Sequence, residues 1–208
     1  MANYRDGFTP VRYRNGAPWT GKATMYYVTS GDATAIGIGD LVKLDGGNDG
    51  NGIRSVTRAA ASNVCCGVVV GVKATDAGVG SGKFMSSGAT PTLDLPQYRA
   101  ASTAKYVFVA DDPNIEMETV EDADTTPLTD AGVGLNINFV VTAGASTTTG
   151  ISGMEIDSSS VATTNTLPLR LVERVQREDN SAAGTTTTRW IVGWNTHQYL
   201  SGTGSTGI

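Results

Sequence analysis

From Ala23 onward the chain alternates short runs of β-forming residues with polar, glycine-rich breaks. ATMYYVTS (23–30) ends at the turn signal Ser30-Gly31-Asp32. IGIGDLVKL (36–44) offers Ile36, Ile38, Leu41 or Val42, and Leu44 to a buried face. The dense turn signal DGGNDGNG (45–52) follows, and IRSVTRA then returns with Ile53 and Val56. Together they predict a hairpin with a long, Gly-rich tip. NVCCGVVVGV (63–72) is a continuous apolar run, as expected of a strand buried on both faces.

KYVFVADDP (105–113) predicts a strand stopped at Asp112-Pro113. IEMETVE (115–121) alternates apolar with acidic residues, so one face should be buried and the other should present Glu116, Glu118 and Glu121. LNINFVV (135–141), ISGMEID (151–157), LPLRLVERVQ (167–176) and TTTTRWIVGW (185–194) add further strands. Few segments read as helix; 97–104 and 126–134 have room for a turn or two. Strands at this spacing predict an all-β body, a compact barrel or sandwich, over residues 23–200. Residues 1–22 contain Pro10 and Pro18 without apolar periodicity and read as an extended N-terminal arm. SGTGSTGI (201–208) reads as a flexible C-terminal tail.

Composition supports this pattern. There are 26 glycines, many Thr and Ser, and only 39% hydrophobic residues, which suits many turns and short strands. The formal net charge of −5 argues against a nucleic-acid binder. Charge is unevenly spread. Arg5, Arg12, Arg14 and Lys22 face only Asp6 in the arm, whereas 111–130 carries Asp111, Asp112, Glu116, Glu118, Glu121, Asp122, Asp124 and Asp130 without a cation. The adjacent Cys65 and Cys66 do not make a disulfide framework and fit a strand core. The start MANYRDGFTP lacks a signal-peptide pattern, and the apolar run 64–72 is too short to span a bilayer. These features predict a soluble chain folded in a reducing cytoplasm, with no membrane partner.

Catalytic motifs fail one by one. GVGSGK (78–83) has P-loop flavour, but its glycine spacing is one short and Phe84 replaces the magnesium-binding hydroxyl. DGGNDG (45–50) recurs in calcium loops, yet Gly47 and Val56 occupy positions that must supply oxygen ligands. The acidic run is expected to be a solvated or partner-facing surface rather than a metal site. His197 is the single histidine, leaving hydrolase and zinc readings without partners. Trp190 and Trp194 fall on one side of a strand, suited to a core or to stacking a sugar. No cofactor and no catalytic residue is expected.

Three segments then stand out: YVFVADDP (106–113), TTTGISGMEIDSSS (147–160) and LVERVQREDN (171–180). With them, the chain from Pro10 to Tyr199 resembles the capsid cement (decoration, stabilisation) proteins of tailed bacteriophages. The resemblance implies a virion structural protein, often trimeric, added to the outer surface of an icosahedral head. There it would clamp neighbouring subunits of the major capsid protein without touching DNA. Combined with the charge pattern, it suggests a capsid-binding arm using Arg5, Arg12, Arg14, Trp19 and Lys22, by charge pairing or by strand addition. It also suggests a separate acidic surface at Asp111, Asp112, Glu116, Glu118 and Glu121. A tail or head–tail component is the alternative within a virion. A carbohydrate-binding or adhesin module, using Trp194, is the alternative outside it.

Overall fold

The computed structural model describes residues 6–76, 97–200 and 204–207. In chain order the strands are β1 (Thr9–Tyr13), β2 (Thr24–Val28), β3 (Leu41–Asn48), β4 (Arg54–Arg58), β5 (Gly67–Asp76) and β6 (Lys105–Ala110), followed by β7 (Ile115–Val120), β8 (Asn136–Ala143), β9 (Gly153–Ala162), β10 (Leu169–Arg174) and β11 (Arg189–Trp194). One 3-10 turn, Asp130–Gly132, is the helical element among the described residues. The chain is therefore all-β, as its pattern predicts.

Two sheets form from these strands. β2-β4-β3-β5-β6 closes into a barrel, and β1-β7-β11-β10-β8-β9 makes a six-stranded sheet. The expected hairpin is β3–β4, with Val42 opposite Arg58 and Leu44 opposite Val56. Barrel closure rests on antiparallel β2–β6 pairing over Thr24–Val28 and on a parallel contact between Tyr27 and Ser55. The second sheet curls as well. An isolated parallel bridge links Glu121 with Ile156, and the Asp122 N–H donates to the Ile156 carbonyl at 3.0 Å.

Each sheet has its own core, and neighbouring residues divide between them. Val42, Cys66 and Val69 fill the barrel beside Tyr26, Val56 and Val107. Leu41, Cys65 and Val68 point the other way, toward Ile115, Phe139 and Trp190 of the curled sheet. All six of those split residues have 0% exposure. A strand's two faces alternate with period two, so a strand wedged between two cores needs apolar residues at every position. That requirement explains the apolar run at 65–69 and the adjacent cysteines.

Both thiols are free. Burial pushes the Cys66 thiol up to about 12 and raises Cys65 as well. Only the thiolate alkylates readily. Iodoacetamide should leave both unlabelled in the folded protein and label both in denaturant, read by intact mass; labelling of the native state would contradict the split-core arrangement.

Part of the expected arm belongs to the body. Phe8 is 1% exposed and meets the Phe139 ring edge-on, with centroids 6.4 Å apart. β1 pairs with β7 from Thr9 to Tyr13. The outer edge of β1 is folded upon by its own continuation: Tyr13 N–H donates to the Ala17 carbonyl (2.8 Å) and Trp19 N–H to the Val11 carbonyl (3.1 Å). Gly16, at φ +85°, permits that reversal. Adding a partner strand along 11–13 is thereby blocked.

The end of the chain is also held in place. Arg170 Nη2 donates to the Ser205 and Thr206 carbonyls at 2.9 and 2.8 Å, and Asn136 Nδ2 to Ser205 at 2.7 Å. A Cβ on Gly207 would lie 2.9 Å from Leu135 Cα, so its glycine is what lets the tail lie flat. Residues 204–207 dock on β8 and β10 rather than form the flexible tail that their composition suggests.

Candidate partner-binding surface

The charged residues singled out in the sequence meet within the chain. β7 lies between β1 and β11, so its carboxylates face arginines on neighbouring segments. Arg12 Nε donates to Glu116 at 2.7 Å, and its Nη1 lies 2.9 Å from Glu173. The hydrogen bond to Glu116 holds the Arg12 guanidinium still more firmly protonated. Arg177 forks onto Glu118 at 2.8 and 3.0 Å, and Arg189 Nε reaches the same carboxylate at 2.6 Å while pairing with Asp6.

Glu121 turns inward at the end of β7 and is 0% exposed. It accepts from the Leu128 and Thr188 amides at 2.7 and 3.2 Å. Burial pushes its carboxyl above the usual range, partly offset by those amides. The expected carboxylate face of 115–121 is thus corrected: all six residues of β7 are buried. All three carboxylates are structural partners: arginines of neighbouring segments cover Glu116 and Glu118, and backbone amides hold Glu121.

The remaining expected residues have mixed placements. Arg5 lies outside the described residues, as does the GVGSGK stretch at 78–83. Arg14 Nη2 donates to the Trp194 carbonyl at 3.0 Å. Trp19 is half-buried against the curled-sheet core, with Nε1 on the Lys22 carbonyl at 3.2 Å, and Lys22 is exposed. Asp112 caps its own turn by accepting from Asn114 N–H at 2.8 Å. A cleft of about 380 Å³ is lined by Tyr13, Arg14, Asn15, Asp112 and Asn114, and the Arg14 N–H donates to the Asn114 carbonyl at 2.8 Å beside it. Within the arm, Trp19 and Lys22 remain available to a partner.

Both tryptophans of β11 are core residues, Trp190 at 0% and Trp194 at 2% exposure, so Trp194 has no free face for a sugar. Asp49, in the glycine-rich tip, accepts from the Asn51 and Ile53 amides and from the Tyr106 hydroxyl. Asp122, Asp124 and Asp157 bring three carboxylate oxygens within 4.8 Å of one another, and Asp122 and Asp124 share the Ser158 hydroxyl.

A second cleft, of about 290 Å³, opens at the end of the barrel where Asp111 leaves β6. Strap residues 196–200 cross this end. Gln198 N–H donates to Cys65, its side chain accepts from Leu44 N–H (2.7 Å), and the Tyr199 hydroxyl lies 2.5 Å from that of Tyr26. Tyr26 donates in turn to Asp111 at 2.8 Å, and Arg54 donates to Tyr199 at 3.1 Å. This cluster joins residues from four distant segments and has no local motif. Its one trace in the sequence is that TMYYV and KYVFVA carry apolar residues at positions meant for solvent.

His197, in the same strap, is 3% exposed, and its Nδ1 accepts from Tyr199 N–H at 3.2 Å. Burial drags its pKa down to about 4 from an ordinary 6.5. Below pH 6.5 the unfolded chain binds a proton that the folded chain refuses until about pH 4, so stability falls as pH drops through that window. By pH 4 the loss should reach about 3 kcal/mol. Urea titrations of H197Q and the parent between pH 7 and 4 should show the difference moving toward the variant by that amount. A constant difference would contradict a buried neutral imidazole.

Comparison with family models, with curated proteins and with solved structures finds no match.

Proposed function

We propose that the chain is a virion structural protein that binds the outer surface of an icosahedral phage capsid. In this reading it clamps neighbouring major-capsid subunits, as a homotrimer. The observation that carries the reading is the resemblance of YVFVADDP, TTTGISGMEIDSSS and LVERVQREDN to the cement family. The fold is compatible with a load-bearing role. Two back-to-back cores share β3 and β5, and the ion pairs of β7 tie residues remote in sequence into one body.

The arm enters this reading in altered form. Removing residues 1–22 would delete β1 and the buried Phe8, so it would damage the body along with any docking. Trp19→Ala combined with Lys22→Glu leaves β1 in place and alters only the half-buried indole and the exposed ammonium beyond it.

Copy number tests the reading. Quantitative mass spectrometry of purified particles should find this chain in numbers comparable to the major capsid protein. A few copies per particle would instead place it at the tail or the head–tail joint and overturn the proposal.

A further inference from the structure

We propose that the cleft at the Asp111 end of the barrel docks a protein segment that presents a carboxylate next to an apolar side chain. Its donor would be Arg54, and its apolar seat would be Met25 and Phe108.

The floor of the cleft is a fixed relay of donors. Arg54 donates to Tyr199, Tyr199 to Tyr26, and Tyr26 to Asp111, at 3.1, 2.5 and 2.8 Å. Burial, with the hydrogen bonds to Tyr199 and Asp111, raises the Tyr26 phenol and keeps it protonated. The relay holds the guanidinium over the Tyr199 ring, 5.5 Å from its centroid. Arg54 itself is exposed. Its hydrogen bond among the described residues is to that phenol, whereas Arg12, Arg174, Arg177 and Arg189 each pair with carboxylates. The site therefore holds a positioned fork whose remaining N–H groups meet no protein acceptor among the described residues.

The surroundings are apolar. Met25 and Phe108 are cross-strand partners on β2 and β6, exposed at 36% and 37%, and Met25 also lines the cleft. Tyr199, exposed at 37%, lines the cleft as well, and Leu200 follows it in the chain at 49%. Two of the exposed large hydrophobic residues among those described thus line the cleft, and a third, Phe108, pairs with one of them. Isolated exposed apolar residues are ordinary, but a group of them around an arginine has the composition of an interface centre.

The same contacts select the ligand class. Asp111 already accepts from Thr24 and Tyr26, and the Tyr199 ring is flanked by Arg54 and by His197 at 5.6 Å. The flanked Tyr199 ring offers a sugar no free aromatic face. The Asp111 charge beside Arg54 disfavours a phosphate dianion, whereas a single carboxylate on the far side of the guanidinium is compatible with it. The inference does not rest on the capsid reading, since the cleft's chemistry is the same whatever particle it meets.

The test is an NMR titration of the full chain with the blocked tripeptide acetyl-Leu-Glu-Leu-amide. Saturable shifts of the Met25 methyl and Arg54 Nε–H signals are expected in the millimolar range. The Gln-containing tripeptide should bind about tenfold more weakly or worse. Inorganic phosphate should give no saturable shift, R54Q should abolish the peptide effect, and R174Q, remote from the cleft, should keep it. Absence of saturation at these two residues would overturn the proposal. So would equal binding of the Gln tripeptide, equal binding of phosphate, or an undiminished response in folded R54Q.

Discussion

Replacing Arg99 with Ala should destabilise the protein by more than about 4 kcal/mol, the largest effect expected from any single side chain here. Arg99 is 0% exposed. Its Nε donates to Thr103, Nη1 to Thr34, and Nη2 to both Thr29 and Asp32, all to carbonyls 2.6–2.7 Å away. Its backbone exchanges hydrogen bonds with Ile36, at 2.7 and 2.9 Å. One side chain therefore gathers the loops that close the barrel at the Val28–Lys105 end. Each carbonyl left dry would cost about 1–3 kcal/mol, and water entering the gap would recover part of that. Domains have only about 5–15 kcal/mol of stability, so much of the variant should be unfolded. Arg99→Lys should lose about 3 kcal/mol, because one ammonium with three donors cannot span four carbonyls. Urea unfolding of both variants checks this; midpoints matching the parent would mean that the loops close without the guanidinium.

Trp190→Ala should cost about 4 kcal/mol and lower the melting temperature by about 10 °C. The indole is fully buried between the sheets, among Leu171, Met117 and Val192, and its Nε1 lies 3.5 Å from Glu121. Truncation opens a cavity that β7 and β11 cannot fill, because cross-strand pairs fix both strands. Val64→Ala, at an exposed position, should stay within about 0.5 kcal/mol of the parent. Calorimetry separates the two. A Trp190 variant with unchanged melting would show that the tryptophan serves a surface and not the core.

Most strands were legible because period-two patterns and turn residues are local. The run 63–72 could even be read as a strand buried on both faces, since both cores take apolar side chains from Cys65 to Val69. Barrel closure was not legible, because β2–β6 pairing joins residues about eighty positions apart. β1 was hidden by Pro10 and by its charges. Arg12 looks like a surface cation until Glu116, 104 residues away, is placed beside it. Glu118 was misread for the same reason, its cations coming from Arg177 and Arg189. Nothing in QYRAASTA separates Arg99 from an exposed arginine. Of the proposed partner surface, Trp19 and Lys22 could be named in advance, whereas Arg54, Tyr26 and Tyr199 converge only in three dimensions.

Particle imaging addresses the central proposal most directly. Purified chain would be added to expanded phage heads that lack it, taken from whichever phage the proposal assigns it to, and the particles reconstructed. The expected result is added density on the outer face of the shell, bridging adjacent major-capsid subunits, with the Trp19–Lys22 segment toward the lattice. Density confined to the tail or the head–tail joint, or shells with no added density, would contradict it.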